Sequence, residues 1–353
     1  MKAVILRAWR QTHKEKKVRA APGSIKTRMP PLLILDALST SFLTSEGPAP
    51  AVDSVSFTLG EGESLGLVGE SGSGKTVLSL SILGLVPKPG RIAGGRILFE
   101  GSDLAAMPAD ALRRVRGAKI GMIFQEPMTS LNPVMRVGKQ AAEPLVLHQG
   151  LSKAQAFSRA AELFAQVGLP DPKRLLTAYP HELSGGMRQR AMIAMALACG
   201  PKLLIADEPT TALDVTVQRQ ILDLLAELTG SRAMALLLIT HNLGLVARTC
   251  SRVGVLYAGR LVEMSPAEAL FDAPLHPYTQ GLLASLPKPG SPRERLTPIA
   301  GMVPPLTELP SGCHFHPRCP YSFAPCPKEA PPVFAPQEGR KVRCWLFDER
   351  GRA

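Results

Sequence analysis

Eight residues, Gly69-Glu70-Ser71-Gly72-Ser73-Gly74-Lys75-Thr76, restrict what this chain can fold into more than any other stretch. They fit G-x-x-x-x-G-K-[ST], the phosphate-binding P-loop. That motif works only between a strand and a helix. Ser64 to Val68 reads as a buried strand, and the apolar-periodic run from Thr76 to Leu83 reads as a helix. Gly69, Gly72 and Gly74 let the backbone curl so that several N–H groups point inward. Together with the helix N-terminus these donors make an anion cradle for the β- and γ-phosphates of a nucleotide. The whole loop, with Glu70, Ser71 and Ser73 between the glycines, is the candidate nucleotide contact. Lys75 adds positive charge at the terminal phosphates, and the Thr76 hydroxyl is placed to hold Mg²⁺.

A chain of 353 residues that is 45% hydrophobic has room for two domains, one of them large. The formal net charge is +12, yet the first 30 residues carry nine Lys or Arg against one Glu. The body is therefore only mildly basic, which argues against nucleic acid as a partner. Residues 1–30 read as a basic, poorly ordered extension, with Met29 as a second candidate start. No run of 18 apolar residues occurs, so no transmembrane helix is expected. Arg7 and Arg10 break up the apolar start, which makes a poor signal peptide. The expected location is the cytosol, where six Cys argue for free thiols or metal ligands rather than disulfides.

Residues 32–65 alternate apolar and polar, with turns at Gly47-Pro48 and Gly60 to Glu63, and read as an antiparallel β layer feeding the P-loop strand. Phe42 could stack on a base, although its spacing alone favours an ordinary core residue. Ile120 to Phe124 reads as a strand ending in Gln125, which can reach Mg²⁺ or a water near the γ-phosphate. Residues 135–180 read as helical. Leu183-Ser184-Gly185-Gly186 then opens an Ala/Met-rich helix, a second anion-binding N-terminus. One nucleotide does not need two cradles from one chain, so Ser184, Gly185 and Gly186 are expected to serve the nucleotide of a partner subunit. Leu203 to Asp207 reads as a buried parallel strand. Ligands of such sheets gather at strand C-termini. There Asp207 is placed for the Mg²⁺ shell and Glu208 to polarise the attacking water. His241 follows a further apolar strand, Met234 to Thr240, and can sense the γ-phosphate.

The segment from Pro287 to Pro336 holds 14 prolines and is expected to lack regular structure. Within and after it, Cys313, Cys319, Cys326 and Cys344 are spaced C-x5-C-x6-C-x17-C. A segment with so small a core needs a staple. Four thiolates can bind zinc or an iron–sulfur cluster, but the spacing matches neither the usual zinc pattern nor the ferredoxin run. Free thiols remain the alternative, and His314 and His316 are further zinc ligands. Cys199 and Cys250 sit in apolar or helical contexts and read as inert.

Taken together, these residues resemble the ATP-binding subunits of ABC transporters, from about Leu32 to Arg295 and, more loosely, to the C-terminus. GESGSGKT resembles the Walker A motif, Gln125 the Q-loop, LSGGMRQR the signature, LLIADE the Walker B motif, Thr211 to Asp214 the D-loop and His241 the switch histidine. Phe42 then resembles the adenine-stacking aromatic. QEPMTSLNPV, His276-Pro277-Tyr278-Thr279-Gln280 and the tail with GCHFHPRCP resemble the di- and oligopeptide (or nickel) importer branch. The departures are the basic extension and Met187, where the general signature has Gln.

The resemblance implies an α/β fold. It consists of a P-loop NTPase (RecA-like) core at 31–265 with an antiparallel β layer and an α-helical subdomain near 135–190. A small irregular Pro/Cys-rich domain at 266–353 follows. It implies an ATPase using ATP and Mg²⁺, with Thr76, Gln125 and Asp207 at the metal and Glu208, His241 and Gln125 at the chemistry. It implies a peripheral place on the cytoplasmic face of the membrane, a second ATPase subunit, two permeases and, indirectly, an extracytoplasmic binding protein. ATP would lie between the Walker A of one subunit and the signature of the other. It also implies a 4Fe-4S cluster on the four C-terminal Cys. The rival classes are an ABC ATPase acting on nucleic acid, which usually carries two cassettes or a long coiled coil, and a small P-loop kinase, in which the LSGG segment would be idle.

Overall fold

A computed structural model describes residues 30–126, 130–210, 214–231, 233–286 and 298–349. Residues 1–29 of the basic extension, Pro127-Met128-Thr129 of the QEPMTSLNPV stretch, Thr211 to Leu213 of the D-loop and the proline-rich residues 287–297 lie outside the described residues. The chain divides into two compact units. One holds the residues up to 59, 64–105 and those from 240 onward; the other holds 60–63 and 106–239.

The first unit contains two sheets. In one, Leu33–Thr44 lies between Gly47–Leu59 and Gly90–Phe99, antiparallel to both. This is the expected antiparallel layer. The turn expected at Gly47-Pro48 falls at Ser45-Glu46 instead, and Gly47 and Pro48 belong to the strand, opposite Thr44 and Leu43. A proline is tolerated there because Gly47–Leu59 is the edge of its sheet. In the other sheet Ser64–Val68 runs parallel to Arg252–Tyr257, with Leu67 opposite Gly254. Arg252–Tyr257 pairs antiparallel with Arg260–Pro266, which pairs antiparallel with Arg340–Val342. Phe334–Gln337 closes a short hairpin on Arg340–Val342. The C-terminal segment is thus hydrogen-bonded into the unit that carries the P-loop. Leu33, Leu35, Leu38, Leu59, Leu65 and Leu67 are almost fully buried between these layers, each worth about 1.5–3 kcal/mol of apolar burial.

The second unit has a parallel sheet of Ile120–Ile123, Leu203–Asp207 and Ala235–Ile239. Every residue of the last two strands is buried, which is why they read as unbroken apolar runs. Helices follow the first strand. Val137–Gln149 accommodates Pro144 within it. Lys153–Gln166 starts on a capping box of Ser152 and Gln155. Gly185–Ala196 starts at Ser184.

Candidate nucleotide site

In the first unit the chain leaves the strand at Val68, turns through the loop and enters the helix Lys75–Ile82. The helix has no side-chain cap, and the first N–H groups of a helix, which have no intrahelical acceptor, suit an anion. Gly74, its N-cap, has φ +99°, and a Cβ there would lie 2.2 Å from the Ala51 carbonyl oxygen. A Cβ at Gly69 would lie 2.2 Å from the Leu256 carbonyl oxygen. The turn therefore closes with glycine at both positions. Lys75 is 6% exposed. Its Nζ donates to the Gly69 and Glu70 carbonyls, both at 2.8 Å, and to Ser73 Oγ at 3.2 Å. The loop thus carries a buried cation ringed by the backbone that would face a phosphate. Ser73 is fully buried, while Ser71, Gly72 and Thr76 are exposed.

The loop is also held from the C-terminal side, which the sequence reading missed. The Tyr278 hydroxyl accepts the Glu70 N–H at 2.8 Å. Arg318 donates to both Glu70 carboxylate oxygens, at 2.8 and 3.1 Å. In the sequence the HPYTQ stretch marks only the resemblance to the importer branch. No spacing rule links Tyr278 or Arg318 to a loop more than 200 residues earlier.

His241 belongs to the same unit. The Thr240 N–H donates to the Leu67 carbonyl at 3.1 Å, which sets the exposed His241 by the end of the P-loop strand. Phe42 is half-buried on Leu33–Thr44, between two small residues, Ala49 and Gly90.

In the second unit, Gln125 and Glu208 both follow C-terminal ends of parallel strands, Ile123 lying opposite Ala206. Gln125 Nε2 donates to Glu208 Oε2 at 3.3 Å. Glu208 has φ +45°, and its N–H donates to the Ile239 carbonyl at 2.8 Å. Asp207 is 1% exposed. Two carboxylates and an amide thus gather at one sheet edge. Ser184 Oγ accepts the Met187 N–H at 3.3 Å and so caps its own helix, leaving the N–H groups of Gly185 and Gly186 ahead of it. Of the D-loop, Asp214 is described, and its carboxylate accepts the Val217 N–H at 2.9 Å.

The four C-terminal cysteines are brought into one neighbourhood. The Cys313 N–H donates to the Cys326 carbonyl at 2.8 Å. Burial pushes the Cys313 thiol up to about 11 and the Cys344 thiol up to about 12, and neighbouring thiols add to both. Burial raises Cys319 as well. The N–H groups of Phe315, Tyr321 and Leu346 favour the thiolates of Cys313, Cys319 and Cys344 in turn. Each donor lies two residues after its sulfur, so this donor set suits a thiolate-bound group. Among the described residues, however, no three His, Cys, Asp or Glu side chains form a closed metal ligand set. His314 Nδ1 lies 3.0 Å from the Ala258 carbonyl and His316 Nδ1 3.0 Å from the Cys313 carbonyl. Cys250 is buried and Cys199 half-buried, and burial raises both thiols. No helix among the described residues is long and apolar enough to cross a membrane.

Comparison with known proteins gives a consistent picture. The ABC transporter family matches residues 52–211, and the oligopeptide/dipeptide transporter C-terminal region matches residues 262–326. The dipeptide transport ATP-binding protein DppD of Escherichia coli (strain K12) is 50% identical over 322 residues, spanning 91% of this chain and 98% of its own. The oligopeptide transport ATP-binding protein AppD of Bacillus subtilis (strain 168) is 48% identical over 324 residues, spanning 92% and 99%. The solved dimer of the ATP-binding cassette MJ0796, in a post-hydrolysis state bound to ADP and Pi, shares 28% identity at a TM-score of 0.61, covering 67% of this chain and 98% of that one. The fold is that of an ABC ATPase cassette with a P-loop NTPase core, and with half its residues shared over nearly the whole length of such subunits, the chain belongs to the ATP-binding subunits of ABC transporters, in the oligopeptide/dipeptide branch.

Proposed function

We propose that this chain is the ATP-hydrolysing subunit of an importer for di- or oligopeptides, working at the cytoplasmic face of the cell membrane. The observation that carries the reading is the P-loop cradle around Lys75, in a chain half identical to peptide-transport ATP-binding proteins over nearly their whole length. Lys75 and the loop N–H groups hold the β- and γ-phosphates, and Phe42 stacks on the adenine. Thr76, Gln125 and Asp207 hold Mg²⁺. Glu208 polarises the attacking water, oriented by Gln125, and His241 donates to the γ-phosphate. Ser184, Gly185 and Gly186 present their helix N-terminus to the nucleotide of a second ATPase subunit, either another copy or a related chain. Two permeases receive the closing motion, and a binding protein outside the cell supplies the solute. Which solute is carried is decided by those partners, so nickel or another small solute is the second reading of the same machinery.

The same reading assigns a 4Fe-4S cluster to Cys313, Cys319, Cys326 and Cys344, supported by the gathering of the four thiols and their backbone donors. Zinc is the alternative occupant. Such a cluster would supply a covalent staple to a segment with little core of its own.

The test is reconstitution with the two permeases and a second ATPase subunit in vesicles. Mg²⁺-dependent ATP hydrolysis that rises with peptide-loaded binding protein supports the reading. Hydrolysis stimulated by single-stranded nucleic acid and indifferent to the permeases would refute it. Anaerobic purification should give about four irons and matching sulfide per chain. Zinc in stoichiometric amount, or no metal in an active sample, would remove the cluster from the proposal.

A further inference from the structure

Glu70 puts a negative charge inside a loop whose task is to hold anions, and every polar group of that residue is engaged. Its N–H goes to the Tyr278 hydroxyl at 2.8 Å, its carbonyl accepts from Lys75 Nζ at 2.8 Å, and its carboxylate takes the two-pronged contact of Arg318. Arg318 is itself well supported. Its side chain is 6% exposed, and Nε donates to the Ala300 carbonyl at 2.9 Å. The guanidinium carbon lies 5.7 Å from the Tyr257 ring centre and 6.0 Å from that of Phe315. A planar guanidinium held from behind by carbonyls and rings is already oriented for a carboxylate.

We propose that Arg318, from the C-terminal segment, is a positioning residue of the nucleotide site: it neutralises Glu70, so that the P-loop offers its N–H groups and Lys75 to a nucleoside triphosphate without a competing negative charge. The inference rests on the nucleotide-binding reading of the loop and goes beyond it, because it makes a residue outside the cassette motifs set the affinity for ATP. An uncompensated carboxylate one residue past Gly69 would repel the triphosphate and compete for Lys75. A staple without this electrical role would fix the loop equally well whichever charges it carried.

The two cases separate in one series on the full chain, with Kd for MgATP measured by calorimetry for wild type, Arg318→Met, Arg318→Lys, Glu70→Gln and the double variant Arg318→Met/Glu70→Gln. The expected result is about tenfold weaker binding for Arg318→Met, relieved at high salt, with the double variant within about threefold of Glu70→Gln alone. Arg318→Lys, which keeps the charge, is expected within about threefold of wild type. The proposal is overturned if Arg318→Met binds like wild type, or if the double variant binds about tenfold more weakly than Glu70→Gln alone. Should Arg318→Met not fold, Arg318→Lys decides, and a tenfold loss in it overturns the proposal. A folded wild-type chain that binds no MgATP overturns the nucleotide reading itself, which is a different result from any of these.

Discussion

Glu208 sits in the left-handed region of backbone space at φ +45°, a conformation that costs a non-glycine residue about 1–2 kcal/mol. In this conformation the carboxylate accepts from Gln125 at the sheet edge, beside the buried Asp207. Glu208→Gln keeps the shape and removes the basic oxygen. We expect this variant to bind ATP like the parent and to hydrolyse it about 10²-fold more slowly or worse, with single-turnover kinetics as the measurement. Turnover at the parental rate would remove Glu208 from its role. At this scale the sequence was most informative where chemistry follows a fixed spacing. Lys75, Asp207, Glu208 and His241 each stand at the end of a recognisable strand or loop. It was silent on Arg318 and Tyr278. Their contacts with Glu70 are set by tertiary folding, and the P-loop pattern allows any residue at that position. The cysteines fall between these cases, since their number was plain but their gathering depends on the path of an irregular segment.

Among the elements, buried strands were legible because burial on both faces leaves an unbroken apolar run, as in Leu203–Asp207 and Ala235–Ile239. The hairpin of Phe334–Gln337 and Arg340–Val342 was not. It lies at the end of a proline-rich stretch that read as irregular, and Pro336 is accommodated because its strand is the sheet edge. The helix Pro277–Ala284 shows how much a single cap can carry. His276 is 1% exposed, and its Nδ1 accepts the Tyr278 N–H at 3.0 Å, which requires the neutral ring. Burial pushes its pKa down to about 3, against a smaller opposing effect of the Arg343 backbone. The unfolded chain therefore takes up a proton below the ordinary histidine value of about 6.5 that the folded chain refuses. The stability tied to His276 is complete above that value and falls as the pH drops toward 3. The slope is at most about 1.4 kcal/mol per pH unit. Urea titrations between pH 6.5 and 4 should show a shallower decline for His276→Gln, and an unchanged slope would contradict the neutral cap.

For the molecule as a whole, the first unit is assembled from stretches far apart in the chain, and Glu263 is one of its junctions. It is 1% exposed. It accepts the N–H groups of Leu275 and His276 at 3.0 and 2.9 Å and lies 3.5 Å from Arg340 on the neighbouring strand. Glu263→Ala would leave Arg340 buried with its charge unanswered, and we expect a loss of about 3–5 kcal/mol in denaturant unfolding. A loss below 1 kcal/mol would show that the network is dispensable. Sequence reasoning drew its boundary between cassette and tail along the chain near residue 265. Arg260–Pro266 and Arg340–Val342, on either side of that position, pair antiparallel. The pairing of Glu70 with Arg318, 248 positions apart, has a consequence for the order of events on the ribosome. At roughly 5–20 residues per second, the P-loop emerges about 12–50 s before the arginine that answers its charge. If Arg318 acts as proposed, a nascent or prematurely terminated cassette would hold ATP about tenfold more weakly, and full affinity for the nucleotide would arrive only when the message has been read almost to its end.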